Sequence, residues 1–297
     1  MAVGQKRKAN GLTFHQIADD MLKSILSMSV KARRIDIIFD VYKLFSVKNA
    51  ERVRRSTSKL EFSTIVPNQI IRQWQLFLSN SKNKTMLINL LTDEWKKKNY
   101  SNLISGKSVN LTCGQVCHYF DGKEWKTEPE LESNQEEADT RMIMHSYHAS
   151  ICGFQDIIIH TPDTDVFIIM LSFLKDHTAN LYMKTGTKGK TRIIDIQAVK
   201  KSIENLKSDE LETCNILEAL PGLHAFTGCD TVSAFSNKSK IKALNIMLQS
   251  EIFFHLFQSL GTTGDLTEEI FSLVEQFVCA IYGYKDDIDV NLLRYKI

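Results

Sequence analysis

The chain has 297 residues, 43% of them hydrophobic and 24% charged, with a formal net charge of +2, an ordinary globular composition that allows one large domain or two modest ones. The near-neutral balance excludes a global basic field for nucleic acid, so such a partner must be met by local patches. No apolar run approaches the ~18 residues that a membrane span needs.

Six cysteines follow an N-terminus, Met-Ala-Val-Gly-Gln-Lys-Arg-Lys, that is no signal peptide. They predict reduced thiols in an intracellular protein, nuclear or cytoplasmic and not secreted. Phe14, Ile17, Ala18, Met21, Leu22, Ile25 and Leu26 share one helical face. Ile35-Asp36-Ile37-Ile38-Phe39 is short and β-branched, and predicts a buried strand ending at Asp40. Residues 46–59 are basic, and the seven-residue spacing of Lys48 and Arg55 puts both on one helical face. Helices are expected over 69–79 and 83–98, a strand over 109–113, and a loop or hairpin tip over 121–134. A helix over 136–152 is closed by Gly153. A strand over 156–160 is broken by Pro162, residues 166–174 are apolar on all sides, and strands at 180–183 and 192–194 flank a glycine turn. The rest, to 281, is mostly helical.

Strands alternating with helices imply an α/β chain with a central, mostly parallel sheet covered on both faces. One domain is expected over 1–235 and a helical C-terminal portion over 236–297. Ligands in such sheets bind beyond the carboxyl ends of the strands. Asp40, Asp163 and Asp165 stand there.

Three segments concentrate acids: Glu136-Glu137-Ala138-Asp139, Asp163-Thr164-Asp165 and Cys229-Asp230-Thr231. Phosphodiester hydrolysis needs charge neutralised on the attacking and leaving oxygens, which two Mg²⁺ or Mn²⁺ ions about 3.5–4 Å apart accomplish. Such hard cations take oxygen ligands. The spacing of Asp163 and Asp165 suits a loop. Glu137 and Asp139 converge only where Glu137 precedes the first turn of its helix. The plain structural role for all of them is helix capping.

The order of these motifs resembles the PIN-like, flap-endonuclease (XPG-type) 5′-nucleases. Ile37-Ile38-Phe39-Asp40 followed by Lys48 and Arg55 is similar to their second-strand region. Glu137-Ala138-Asp139-Thr140 is similar to their Glu-Ala-Glu-Ala segment, Asp163-Thr164-Asp165 to their Asp-x-Asp, and Thr227-Gly228-Cys229-Asp230 to their Gly-x-Asp. Closer still are poorly characterised animal proteins with Glu-Glu-Ala-Asp-Thr-Arg, Pro-Asp-Thr-Asp-Val and Leu-Pro-Gly-Leu-His-Ala-Phe-Thr-Gly-Cys-Asp, which stand here at 136–141, 162–166 and 220–230. The resemblance spans roughly residues 35–250. It implies a PIN-like sheet and two-metal, structure-selective cleavage of DNA or RNA. Asp40, Glu137, Asp139, Asp163, Asp165 and Asp230 take the catalytic metal-ligand positions. Lys48 and Arg55 take those of phosphate-steering residues, and Lys238 and Lys240 form a further basic patch toward nucleic acid.

The chain departs from the family in three places. No strand ending in an Asp precedes Thr13, so the chain is a fragment or the site lacks one ligand. Asn237 and Ser239 replace glycines of the closer relatives, and a side chain there hinders backbone N–H groups from approaching a phosphate. The C-terminal Leu292-Leu293-Arg294-Tyr295-Lys296-Ile297 lacks a cap or breaker, as in a truncated chain. The alternative function is therefore a catalytically inactive PIN-like module that binds nucleic acid or a protein. Cys113-x3-Cys117-His118 lacks the second ligand pair of a zinc site. His224 is expected to be a hydrogen-bonded core histidine, and Arg141 to brace a carboxylate.

Overall fold

A computed structural model of the protein describes residues 9–43, 46, 60–104, 106–174, 177–186, 189–205, 216–229, 232–262, 266–284 and 289–295. The chain is mixed α/β and divides into two compact units, Met1–Gly153 and Phe154–Ile297. The boundary expected at 235/236 falls inside the second unit.

In the first unit, α1 (Phe14–Met28) opens with a capping box in which Thr13 and Gln16 satisfy each other's backbone N–H groups. Its expected apolar face is buried from Phe14 to Ile25. Strand β1 (Arg34–Ile37) follows. Helices α2 (Trp74–Leu78), α3 (Ser81–Trp95) and α4 (Lys98–Leu103) come before β2 (Ser108–Cys113). The core joins α1, α2 and α3 to the sheet through Phe14, Trp74, Phe77, Leu91, Trp95 and Leu111. Trp95 Nε1 donates to the carbonyl of Ala18 at 3.0 Å, so even the indole is satisfied. Strands β3 (Val116–Phe120) and β4 (Trp125–Thr127) complete the order β1-β2-β3-β4, ahead of α5 (Ala138–Ile151). Residues 125–127, read from the sequence as part of a loop or hairpin tip, thus form an edge strand. Their two exposed polar residues give no apolar signal, and pairing with β3 holds them.

In the second unit, β5 (Asp156–His160) leads into α6 (Thr164–Ser172) and then β6 (Asn180–Thr185) and β7 (Arg192–Asp195), in the order β5-β6-β7. Helices α7 (Ile196–Glu204), α8 (Ile216–Phe226), α9 (Lys240–Met247), α10 (Glu251–Ser259), α11 (Glu268–Tyr282) and α12 (Val290–Leu293) follow, so the expected helical run is present. Gly222 lets α8 approach α10. A Cβ there would meet the Phe257 carbonyl oxygen at 2.3 Å.

The expected single, mostly parallel sheet needs correction. Among the described residues there are two mixed sheets. The pairs β1/β2 and β5/β6 are parallel, while β2/β3, β3/β4 and β6/β7 are antiparallel. The short connections between these strands, over 114–115, 121–124 and 186–191, cause this, because only an antiparallel partner can be reached in so few residues.

Strand β1 and helix α5 are joined by a half-buried polar network that the sequence did not reveal. Alternation buries Ile35 and Ile37 on one face of β1 and leaves Arg34 and Asp36 on the other. The Asp36 carboxylate accepts from Arg34 Nε and Nη2 at 2.8 Å each, from Asn110 Nδ2 at 3.0 Å and from His145 Nδ1 at 2.9 Å. His148, one turn along α5, places its Nδ1 3.0 Å from Arg34 Nη2. Burial alone would raise the Asp36 carboxyl. The hydrogen bonds from His145 and Arg34, with the Arg34 charge, outweigh it and hold the group well below the carboxylate range.

A depressed carboxyl stabilises the fold at pH above its unfolded value, and that stabilisation is lost as pH falls through the folded value. Asp36→Asn leaves Arg34 without its countercharge. It is expected to cost about 3–5 kcal/mol at neutral pH in urea unfolding and to flatten the decline in stability below about pH 4.

Candidate functional site

The two acid groups are built the same way, each at the carboxyl end of a strand and the start of a helix. In the first unit, Phe39 N–H donates to Thr112 Oγ1 at 2.8 Å, which carries the β1 direction on to Asp40. Asp40 Oδ1 then accepts from Ala138 N at 2.9 Å, and Val41 N donates to the Glu136 carbonyl at 2.7 Å. Glu137 occupies the N-cap position of α5 but makes no capping bond itself. Asp40 therefore does the capping from 98 residues away. Asp139 lies in the first helical turn, where the helix dipole favours negative charge. Asp40 is thereby tied to the helix start at which Glu137 and Asp139 stand in the chain.

Arg141 is almost fully buried but does not brace a carboxylate as expected. Its Nη1 donates to the carbonyls of Phe39, at 3.3 Å, and Gly114, at 2.9 Å. It supports the backbone beside Asp40 instead, because carbonyls at the ends of β1 and β2 are the acceptors within reach. Burial lowers its guanidinium from its ordinary value.

In the second unit, the Thr161 N–H bonds to the Lys184 carbonyl at 3.1 Å and extends the β5/β6 pairing by one residue. Pro162 follows, and Asp163 becomes the N-cap of α6, accepting from Asp165 N at 2.9 Å. Asp165 sits in the first turn of the helix rather than in a loop. Its Oδ1 lies 2.9 Å from Nε2 of His224, near the end of α8. His224 is hydrogen-bonded, as expected, and its partner is a candidate ligand.

Lys240, at the start of α9, turns back onto the end of α8. Its Nζ donates to the His224 carbonyl at 2.7 Å, to Thr227 Oγ1 at 3.2 Å and to the Gly228 carbonyl at 2.5 Å, and lies 3.3 Å from His224 Nδ1. Burial lowers its ammonium from the ordinary lysine value, against the opposing pull of Asp165 and Cys229. Lys238 lies over the Tyr282 ring, 4.6 Å from its centroid. Asn237 has φ +56°, a left-handed conformation that Asn tolerates better than most side chains. Ser239 caps α9, accepting from Lys242 N at 3.1 Å. Lys48, Arg55 and Asp230 lie outside the described residues.

Among the described residues, no three or more His, Cys, Asp and Glu side chains are grouped to hold a metal ion, and no helix is long and apolar enough to cross a membrane. Cys117 is buried, and burial pushes its thiol up to about 12, the behaviour of an inert core cysteine. No family model, curated protein or solved structure matches the chain. Two partnerships were illegible in the sequence, Asp36 with His145 and Asp165 with His224. The only hint was a pair of histidines within otherwise apolar helical patterns.

Asp40→Ala removes the acceptor for the Ala138 N–H and is expected to cost about 1 kcal/mol in thermal or urea unfolding. Asp40→Asn keeps an acceptor oxygen and should remain near wild-type stability. Equal losses in the two variants would show that the charge, and not the cap, is what matters there.

Proposed function

We propose that the chain is a PIN-like, divalent-metal-dependent phosphodiester hydrolase, a structure-selective nuclease of DNA or RNA. Asp40, Glu137, Asp139, Asp163, Asp165 and Asp230 are its metal-ligand candidates, and Mg²⁺ or Mn²⁺ its metal. One observation carries the proposal. In each unit a strand of a parallel pair runs at its carboxyl end into acids at a helix start, the place where α/β sheets bind ligands. The resemblance of the motif order to the flap-endonuclease group adds to it.

The donor set is carboxylate oxygen, which suits a hard cation. Bound Mg²⁺ or Mn²⁺ would neutralise charge on the attacking and leaving oxygens. The protein's own part is to hold the carboxylates. Ala138 N–H fixes Asp40, the first turn of α6 fixes Asp163, and His224 fixes Asp165.

A second reading is an inactive PIN-like module that binds nucleic acid or a protein. It is favoured by the fact that Asp40, Asp163 and Asp165 each already serve a hydrogen-bond partner within their own unit.

The test uses the full chain with Mn²⁺ on 5′-flap and hairpin substrates of DNA and RNA. Wild type is expected to cut at least one of them. Asp163→Asn retains the capping oxygen but loses the charge, and should cut at least ~100-fold more slowly with its melting temperature little changed. A wild-type chain that neither cuts nor binds Mn²⁺ removes the hydrolase reading. Steeply salt-dependent binding without cleavage favours the module.

A further inference from the structure

In the second unit a polar chain, Lys240, His224 and Asp165, runs from the end of α8 to the first turn of α6. Its atoms are close enough to assign donors. Lys240 Nζ lies 3.3 Å from His224 Nδ1, and an ammonium has only hydrogens to offer. Nδ1 therefore presents its lone pair. The ring proton resides on Nε2, which donates to Asp165 Oδ1 at 2.9 Å. Lys240 is itself held by the carbonyls of His224 and Gly228 and by Thr227 Oγ1. The direction of the whole chain is thereby set from the far end of α8.

The outcome concerns a single carboxylate. Asp165 stands in the first turn of α6, and its side chain is 31% exposed, while that of His224 is 13% exposed. One oxygen is tied to His224. The other, Oδ2, has no hydrogen-bond donor among the described residues. The helix start does not require the bond to His224, because Asp163 already caps it.

We propose that His224 is a positioning residue, which holds Asp165 by Oδ1 so that Oδ2 faces a divalent cation, with Lys240 fixing the tautomer that makes this possible. The proposal rests on the metal-dependent reading of the same acids. Outer partners of this kind orient a ligand and restrict its rotamers, and their loss commonly weakens metal binding by about 10–100-fold.

The experiment measures Mn²⁺ affinity of the full chain by calorimetry, with melting temperature recorded in the absence of metal. His224→Leu removes the donor and keeps an apolar body. Binding is expected to weaken by about tenfold or more. His224→Gln keeps an N–H near the position of Nε2 and should restore binding to within about threefold of wild type. A purely structural role would move the melting temperature without this split in affinity. Wild-type binding with an equally tight, folded His224→Leu overturns the proposal and leaves the metal reading standing. A wild type that binds no Mn²⁺ overturns both. Should His224→Leu not fold, ¹⁵N spectra of the wild-type imidazole decide. A proton on Nε2, with a signal that shifts on addition of Mg²⁺, supports the proposal. A proton on Nδ1, or no shift, overturns it.

Discussion

The Asp36 carboxylate is the constraint around which the first unit is arranged. A carboxylate largely withdrawn from water is tolerated only when it is paired and hydrogen-bonded, and the half-buried Asp36 receives donors from three elements: its own strand, β2 and α5. Satisfying it sets α5 against β1 at His145. The same docking meets the backbone at the other end of α5, where Asp40 accepts from Ala138 and Val41 donates to Glu136. An interior ion pair and a candidate ligand group are thus two ends of one contact between a strand and a helix. Arg141 lies between them and spends its guanidinium on the carbonyls of Phe39 and Gly114.

Helix ends organise the second unit. The first N–H groups and last carbonyls of a helix need partners from outside it, and here charged side chains supply them. Asp163 opens α6, Lys240 closes α8, and His224 bridges the two helices through Asp165. The capping role and the ligand role are compatible, because a carboxylate has two oxygens and a cap uses one of them. The same economy explains why short acidic motifs are ambiguous. A helix start and a hard-cation site ask for the same residue types.

The elements and the positions of the acids were legible in the sequence. The apolar face of α1, the strands around 35–37, 108–113 and 156–160 and the helix closed near Gly153 all follow from local periodicity and local backbone chemistry. Such signals act over a few residues. β3 and β4 were missed: no strand was expected over 116–120, and β4 is three residues long with two exposed polar residues and is held by its neighbour. The mixed pairing was missed because the direction of pairing follows the length of each connection, and three of those connections are short.

The sequence by itself determined which residues carry charge beyond the strand ends; that Asp163 and Glu137 stand at N-caps came from the structure, since 163–165 reads as a loop and 136–152 as one helix. Only the tertiary structure decided what each acid touches. Asp40 meets a donor 98 residues away, Asp165 one 59 away and Asp36 one 109 away. A hydrogen bond forms only within about 3 Å of its partner, and no local pattern records which distant segment is folded into that range.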